Sequence, residues 1–207
     1  MAVIAELKKH HGVDVLYIGS KGGIERNMMT KIGVRYRGIP SGKLRRYFSW
    51  QNFVDPFKVI LGIFRARDLL KQFKPNVVFS KGGFVSLPVV LAAYRQKIPV
   101  VMHESDVSPG LANRIAMRFS NKICISFEET RKFIPEKILQ KKEVILTGNP
   151  VREEILKGNK HKGFKFAGLN STGKPVLLVI GGSQGAMQIN DLIKECLPIL
   201  IKHFQII

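Results

Sequence analysis

At 207 residues the chain is long enough to bury a full core and to form one large domain or one and a part. Thirty-four Lys and Arg against 15 Asp and Glu give a formal charge of +19, which favours an anionic partner: nucleic acid, an acidic lipid surface or a phosphorylated substrate. Only two cysteines, Cys124 and Cys196, occur, without metal-type spacing, and the longest apolar stretch, Phe84 to Ala93, is too short to span a bilayer. A reduced, cytosolic setting follows, with any membrane contact peripheral.

In chain order, Val3, Ile4 and Leu7 predict a short amphipathic helix over 1–11, and no signal-peptide pattern is read at Met1. A strand over 13–18, a helix over 24–32 and a strand over 34–39 follow, then a basic loop at Ser41-Gly42-Lys43-Leu44-Arg45-Arg46-Tyr47. From Trp50 to Phe73, Phe53, Phe57, Ile60 and Phe64 recur at three- and four-residue steps among Lys58, Arg65, Arg67 and Lys71. That spacing predicts a helix whose aromatic stripe either faces the core or, rimmed by cations, lies on an anionic membrane surface, with Tyr94 extending the patch. Pattern alone favours the core.

The next strand, Val77-Val78-Phe79-Ser80, runs into Lys81-Gly82-Gly83, and a helix follows to about Gln96. Strands over 99–104, 121–126 and 143–146 alternate with helices over 110–119 and 128–133. Residues 153–174 are rich in lysine and glycine and read as a linker. A second domain then opens with a strand over 176–180, the turn Gly181-Gly182-Ser183-Gln184-Gly185, a helix over 186–203 and the start of another strand at Gln205. Alternating strands and helices are the sequence form of doubly wound parallel sheets, whose ligands bind at the carboxyl ends of the strands. His103, Glu104, Asp106, Asn149 and Arg152 fall at such ends.

Both diglycine turns stand where a strand becomes a helix. Such a corner aims backbone N–H groups and the positive end of a helix dipole at one spot, which suits a pyrophosphate; tight packing alone also calls for glycine there. Neither turn is a GxGxxG fingerprint or a Walker A loop. No pair of His residues with metal-ligand spacing is present, and no metal or cofactor is expected.

Five motifs carry a resemblance. Ser80-Lys81-Gly82-Gly83-Phe84-Val85-Ser86-Leu87-Pro88, His103-Glu104, Gly110-Leu111-Ala112-Asn113-Arg114, Gly148-Asn149-Pro150-Val151-Arg152 and Gly181-Gly182-Ser183-Gln184-Gly185-Ala186 stand in the order seen in the MurG family. These are the peripheral membrane N-acetylglucosaminyltransferases of bacterial peptidoglycan synthesis. The resemblance implies a GT-B architecture of two Rossmann-like domains. It places an acceptor and membrane domain at 1–152 with its first strand missing, a linker at 153–174 and the start of a UDP-sugar domain at 175–207. It also implies transfer of GlcNAc from UDP-GlcNAc to lipid I (undecaprenyl-pyrophosphoryl-MurNAc-pentapeptide), with inversion, at the cytoplasmic face of the cell membrane and alongside other cell-wall synthesis proteins.

Carried over position by position, the family roles put Arg152, Gly182, Ser183, Gln184 and Asp106 on UDP-GlcNAc, and Gly82, Gly83, Ser86 and Asn113 on the acceptor. His103 and Glu104 either shape the acceptor pocket or assist proton removal; a strand-end His is also often a satisfied structural group. Two departures stand out: the family's opening Gly-Gly-Thr-Gly-Gly-His turn has no counterpart here, and the family's carboxyl-terminal half, with its uracil- and ribose-binding segments, is absent after Ile207, so the chain is expected to be a fragment without transferase activity. A smaller difference lies after His103-Glu104. Ser105-Asp106 replaces Gln-Asn, and a carboxylate at Asp106 accepts hydrogen bonds but cannot donate them. The rival readings are another GT-B enzyme, such as a UDP-GlcNAc 2-epimerase, and a basic nucleic-acid binder. The sequence carries no RNP, KH or helix-turn-helix signature for the latter.

Overall fold

The computed structural model describes residues 1–42, 51–169, 173–182 and 186–207, and of residues 51–56 the backbone only. Trp50, most of the basic loop, Ser183, Gln184 and the Phe53 side chain lie outside the described residues. The chain divides into two compact units, Met1–Val151 and Arg152–Ile207.

The first unit runs α1 (Ala2–Leu7), β1 (Leu16–Ser20), α2 (Glu25–Lys31), β2 (Arg35–Ile39), α3 (Gln51–Phe73), β3 (Val78–Ser80), α4 (Ser86–Arg95), β4 (Val100–Glu104), α5 (Leu111–Phe119), β5 (Lys122–Ile125), α6 (Glu136–Leu139) and β6 (Glu143–Leu146). Glu128–Phe133, expected as a helix of the ordinary kind, is a 3₁₀ segment. It ends at Ile134-Pro135, where the proline ring disfavours helical backbone in the residue before it. β3, β4, β5 and β6 form a parallel sheet in sequence order, and β1 pairs with β2 in parallel. The expected doubly wound sheet is thus present as two parallel pieces, with no ladder between them among the described residues.

β4 is an inner strand of the four and reads Val100-Val101-Met102, an apolar run of the kind a parallel strand needs when both its faces are covered. Val100, Met102, Ile123 and Ile125 are fully enclosed, with Val90, Ala93, Ala116 and Met117 of the flanking helices in the same cluster. Ile39 of β2 and Ala66 and Leu70 of α3 join that core, so the two sheet pieces share it. α3 lies close to α4: a Cβ on Gly62 would stand 2.5 Å from the Pro40 carbonyl oxygen and 3.2 Å from Pro88 Cγ. Only glycine fits there.

The described part of α3 does not bury its aromatic stripe. Among its described side chains and glycine, Gly62, Ala66 and Leu70 are enclosed, while Phe57 is 69% exposed, Phe64 54% and Ile60 49%. The core reading favoured by pattern is therefore corrected for these three positions. The core takes the face of small and aliphatic residues that can approach α4, leaving the bulky face outside. Tyr94 is also exposed, with its ring edge-on to Phe119 at 5.1 Å.

In the second unit, the stretch expected as a linker of little periodicity holds two short helices, α7 (Glu153–Leu156) and α8 (Lys160–Phe166). Asn159 starts α8 by accepting a hydrogen bond from the Lys162 N–H at 3.0 Å, an N-cap signal that the surrounding lysines mask. β7 (Val176–Leu177), shorter than the expected strand, pairs in parallel with β8 (Gln205–Ile206) through α9 (Met187–His203). α7, α8 and α9 bury no residue.

Candidate functional site

The carboxyl ends of β3, β4 and β6 carry a connected polar cluster. β4 ends in His103 and Glu104, each only 2% exposed, so both side chains must find partners inside the protein. His103 Nε2 lies 2.9 Å from the Gly148 carbonyl oxygen, and Nδ1 lies 2.9 Å from Lys81 Nζ. A carbonyl only accepts and an ammonium only donates, so the ring is held neutral, with its proton on Nε2. Burial lowers the His103 pKa below its ordinary value and the Lys81 charge pushes the same way, against the Gly148 hydrogen bond and Glu104.

Glu104 is satisfied on both oxygens. Oε1 accepts the Asp106 N–H at 2.9 Å, and Oε2 accepts Asn113 Nδ2 at 2.6 Å. The Glu104 carbonyl takes the Ser126 hydroxyl at 3.0 Å. Because a carboxylate cannot donate, the Asn113 amide has one orientation, with Oδ1 turned away from Glu104. That oxygen is buried without a hydrogen-bond partner. The end of the amide abuts Gly82, whose added Cβ would stand 2.5 Å from Nδ2 and 2.7 Å from Oδ1. Gly82 at φ +92 and Gly83 at φ +86 both adopt left-handed backbone.

The turn is less open than a bare anion nest. The Gly82 N–H points to Ser80 Oγ at 3.4 Å, and the Ser86 hydroxyl donates to the Gly83 carbonyl at 2.7 Å, closing the first turn of α4. Lys81 was passed over in the sequence reading. Its ammonium contacts His103, Ser105 Oγ and Asn149 Oδ1, the last at 3.1 Å. The available signal was a lone cation in an otherwise uncharged glycine turn directly after a strand.

The remaining expected residues are more scattered. Asp106 is exposed, and its carbonyl accepts the Thr130 hydroxyl at 3.3 Å. Gly182 is exposed, with open space where a Cβ would go, and Arg152 is exposed at the start of α7; both lie in the second unit. The structure brings Gly82, Glu104, Asn113 and His103 together through Lys81 and the loop after β6. Among the described residues no group of three His, Cys, Asp or Glu gathers as a metal site, and no helix is long and apolar enough to cross a membrane.

Comparison with known proteins adds three findings. The profile of the glycosyltransferase family 28 N-terminal domain matches residues 1–125. A Lachnoclostridium phytofermentans protein named UDP-N-acetylglucosamine–N-acetylmuramyl-(pentapeptide) pyrophosphoryl-undecaprenol N-acetylglucosamine transferase is 51% identical over all 207 residues, which span 56% of its length. The protein of the same name from Clostridium tetani is 49% identical with the same coverage. Among solved structures, the crystal structure of Acinetobacter baumannii MurG is similar at TM-score 0.64 and 26% identity, covering 99% of this chain and 50% of that one. UDP-GlcNAc 2-epimerase from Neisseria meningitidis, at TM-score 0.60 and 20% identity over 100% of this chain and 61% of that one, is alike in fold alone.

Proposed function

The chain belongs to glycosyltransferase family 28, and from that membership we propose that it is part of an inverting transferase that moves GlcNAc from UDP-GlcNAc to the C4 hydroxyl of the lipid I muramyl sugar, forming lipid II. The observation that carries this reading is identity near one half along the whole chain to transferases named for that reaction. In a single displacement the acceptor oxygen bonds to the anomeric carbon as the bond to UDP breaks. UDP leaves with the electron pair, and a base takes the hydroxyl proton.

The site geometry supports an acceptor role for the first unit. Asn113 Oδ1, buried and unpaired beside the diglycine turn, is an acceptor waiting for a hydroxyl or amide N–H. Gly82, Gly83 and Ser86 frame the same corner. Arg152, Gly182, Ser183 and Gln184 are assigned to the donor, as is Asp106. The domain assignment that goes with this is acceptor handling over 1–152, a linker over 153–174 and donor binding from 175. His103 and Glu104, with both polar atoms of each side chain engaged, serve as architecture rather than as the base.

The exposed ridge of Phe57, Ile60, Phe64 and Tyr94, continued by Phe53 in sequence, is assigned to the anionic cytoplasmic face of the cell membrane. Cell-wall synthesis proteins are the expected neighbours there.

Two assays test the proposal. Lipid II formation from a lipid I analogue and UDP-GlcNAc is expected for the chain extended to the length of its relatives, and not for the 207 residues alone. Turnover with a different UDP-sugar, or epimerisation of UDP-GlcNAc, would replace the reading. Sedimentation with anionic liposomes is expected to fall when Phe57 and Phe64 become Ser, with the unfolding midpoint nearly unchanged.

A further inference from the structure

The Lys81 ammonium has three protons and three acceptors, each on a different segment or end of the sheet. It reaches His103 at the end of β4, Ser105 in the loop after it, and Asn149 in the loop after β6. None of the three is a carboxylate. The third partner, Asn149, is 68 residues away in sequence, and its neighbour Gly148, at φ +70, turns the carbonyl that receives His103 Nε2. One cation therefore fixes the relative position of three loops and occupies the imidazole lone pair.

We propose that Lys81 is the positioning residue of this sheet end: its ammonium keeps His103 unprotonated, with Nε2–H on Gly148, and so removes His103 from proton transfer while locking the loops that frame the diglycine turn. The inference deepens the reading of this corner as the acceptor side and rests on it for its relevance to transfer. The proton placement itself stands on the geometry.

The groups that face the ring decide its titration. Lys81 follows the end of β3, Glu104 is the neighbour of His103 at the end of β4, and Cys124 of β5 is the register partner of His103. The loop after β6 offers the uncharged Gly148 and Asn149, and Asp106 lies near enough to act on Lys81. Lys81 itself is pushed toward the neutral form by burial, opposed by Glu104 and Asp106. If Lys81 is removed, the like charge on His103 goes and Nδ1 becomes free to take a proton.

The test is side-chain nitrogen NMR of the 207-residue chain across pH, with the His103 signal assigned by its loss in His103→Gln. In the parent chain, Nδ1 is expected to remain an unprotonated acceptor and Nε2 protonated, with a titration midpoint below the ordinary value of about 6.5. Lys81→Met is expected to move that midpoint up, and Lys81→Arg, which keeps the charge, to move it less. An ordinary or raised midpoint in the parent overturns the proposal, even if Lys81→Met fails to fold. So does an unmoved midpoint in a folded Lys81→Met. Because no step reads transferase activity, a failed transfer assay and a failed titration are separate results.

Discussion

The two units use the same strand–helix–strand grammar and reach opposite outcomes. In the first, β3, β4, β5 and β6 lie side by side, and the inner strands enclose Val100, Met102, Ile123 and Ile125 completely. In the second, β7, α9 and β8 make one such unit by themselves, and Leu178, Ile180, Leu192, Ile199 and Ile201 all remain exposed. A parallel pair has two faces to cover and only one connecting helix to cover them. Burial therefore comes from neighbouring units, and an apolar pattern is a request for neighbours that, among the described residues, the first unit satisfies and the second does not.

The largest expected effect that tests this contrast is in the core. Met102→Ala, at a fully enclosed position of β4, should cost about 2–5 kcal/mol in urea unfolding. Ile199→Ala in α9, at 65% exposure, should stay within about 0.5 kcal/mol. Equal costs would mean that unit 2 has a core of its own.

The two glycine turns sharpen the contrast next. Gly82→Ala meets left-handed backbone and the Asn113 amide together, and should lower stability by about 1–3 kcal/mol. Gly182→Ala faces open space and should be close to neutral. Thermal unfolding of the pair reads the difference.

A smaller effect is expected at Lys142, whose ammonium donates to the carbonyls of Met117 at 2.9 Å and Arg118 at 2.7 Å, and to that of Ser120, at the C-terminal end of α5. Lys142→Met should cost about 1 kcal/mol in the same unfolding assay by leaving those acceptors without their donor.

The smallest is a pH dependence at His103. With its pKa lowered in the fold, the unfolded chain binds more protons once pH falls below the ordinary histidine value of about 6.5. Stability should therefore be fully present above that value and decline as pH drops through the window down to the folded-state pKa. His103→Gln should flatten the slope.

Much of this was legible from residue order. β6 occupies the residues read for it, α3 fills the long periodic stretch, and the ends of β4 and β6 were marked as ligand-facing. The fold class, α/β with parallel strands of the GT-B kind, also stands. What could not be read depended on distance or on competition. α7 and α8 hide in a lysine- and glycine-rich tract whose helical signal is a single Asn159 cap. The outward turn of Phe57 and Phe64 depends on the close approach of Gly62 to Pro88, which periodicity cannot register. Lys81 joins partners 22, 24 and 68 positions away, a convergence visible only after folding.

That seating of Gly62 against Pro40 and Pro88 also governs how the exposed aromatic ridge and the diglycine corner of the first unit are spaced. Backbone in such close apposition leaves no room for a side chain to act as a bearing, so α3 cannot slip along α4 without steric collision. α4 begins three residues after Gly83, and the greasy ridge and the polar corner are thereby mounted on one stiff bracket. Were the ridge to rest upon a surface, that bracket would set the height of the corner above it, as a depth stop on a drill sets the hole.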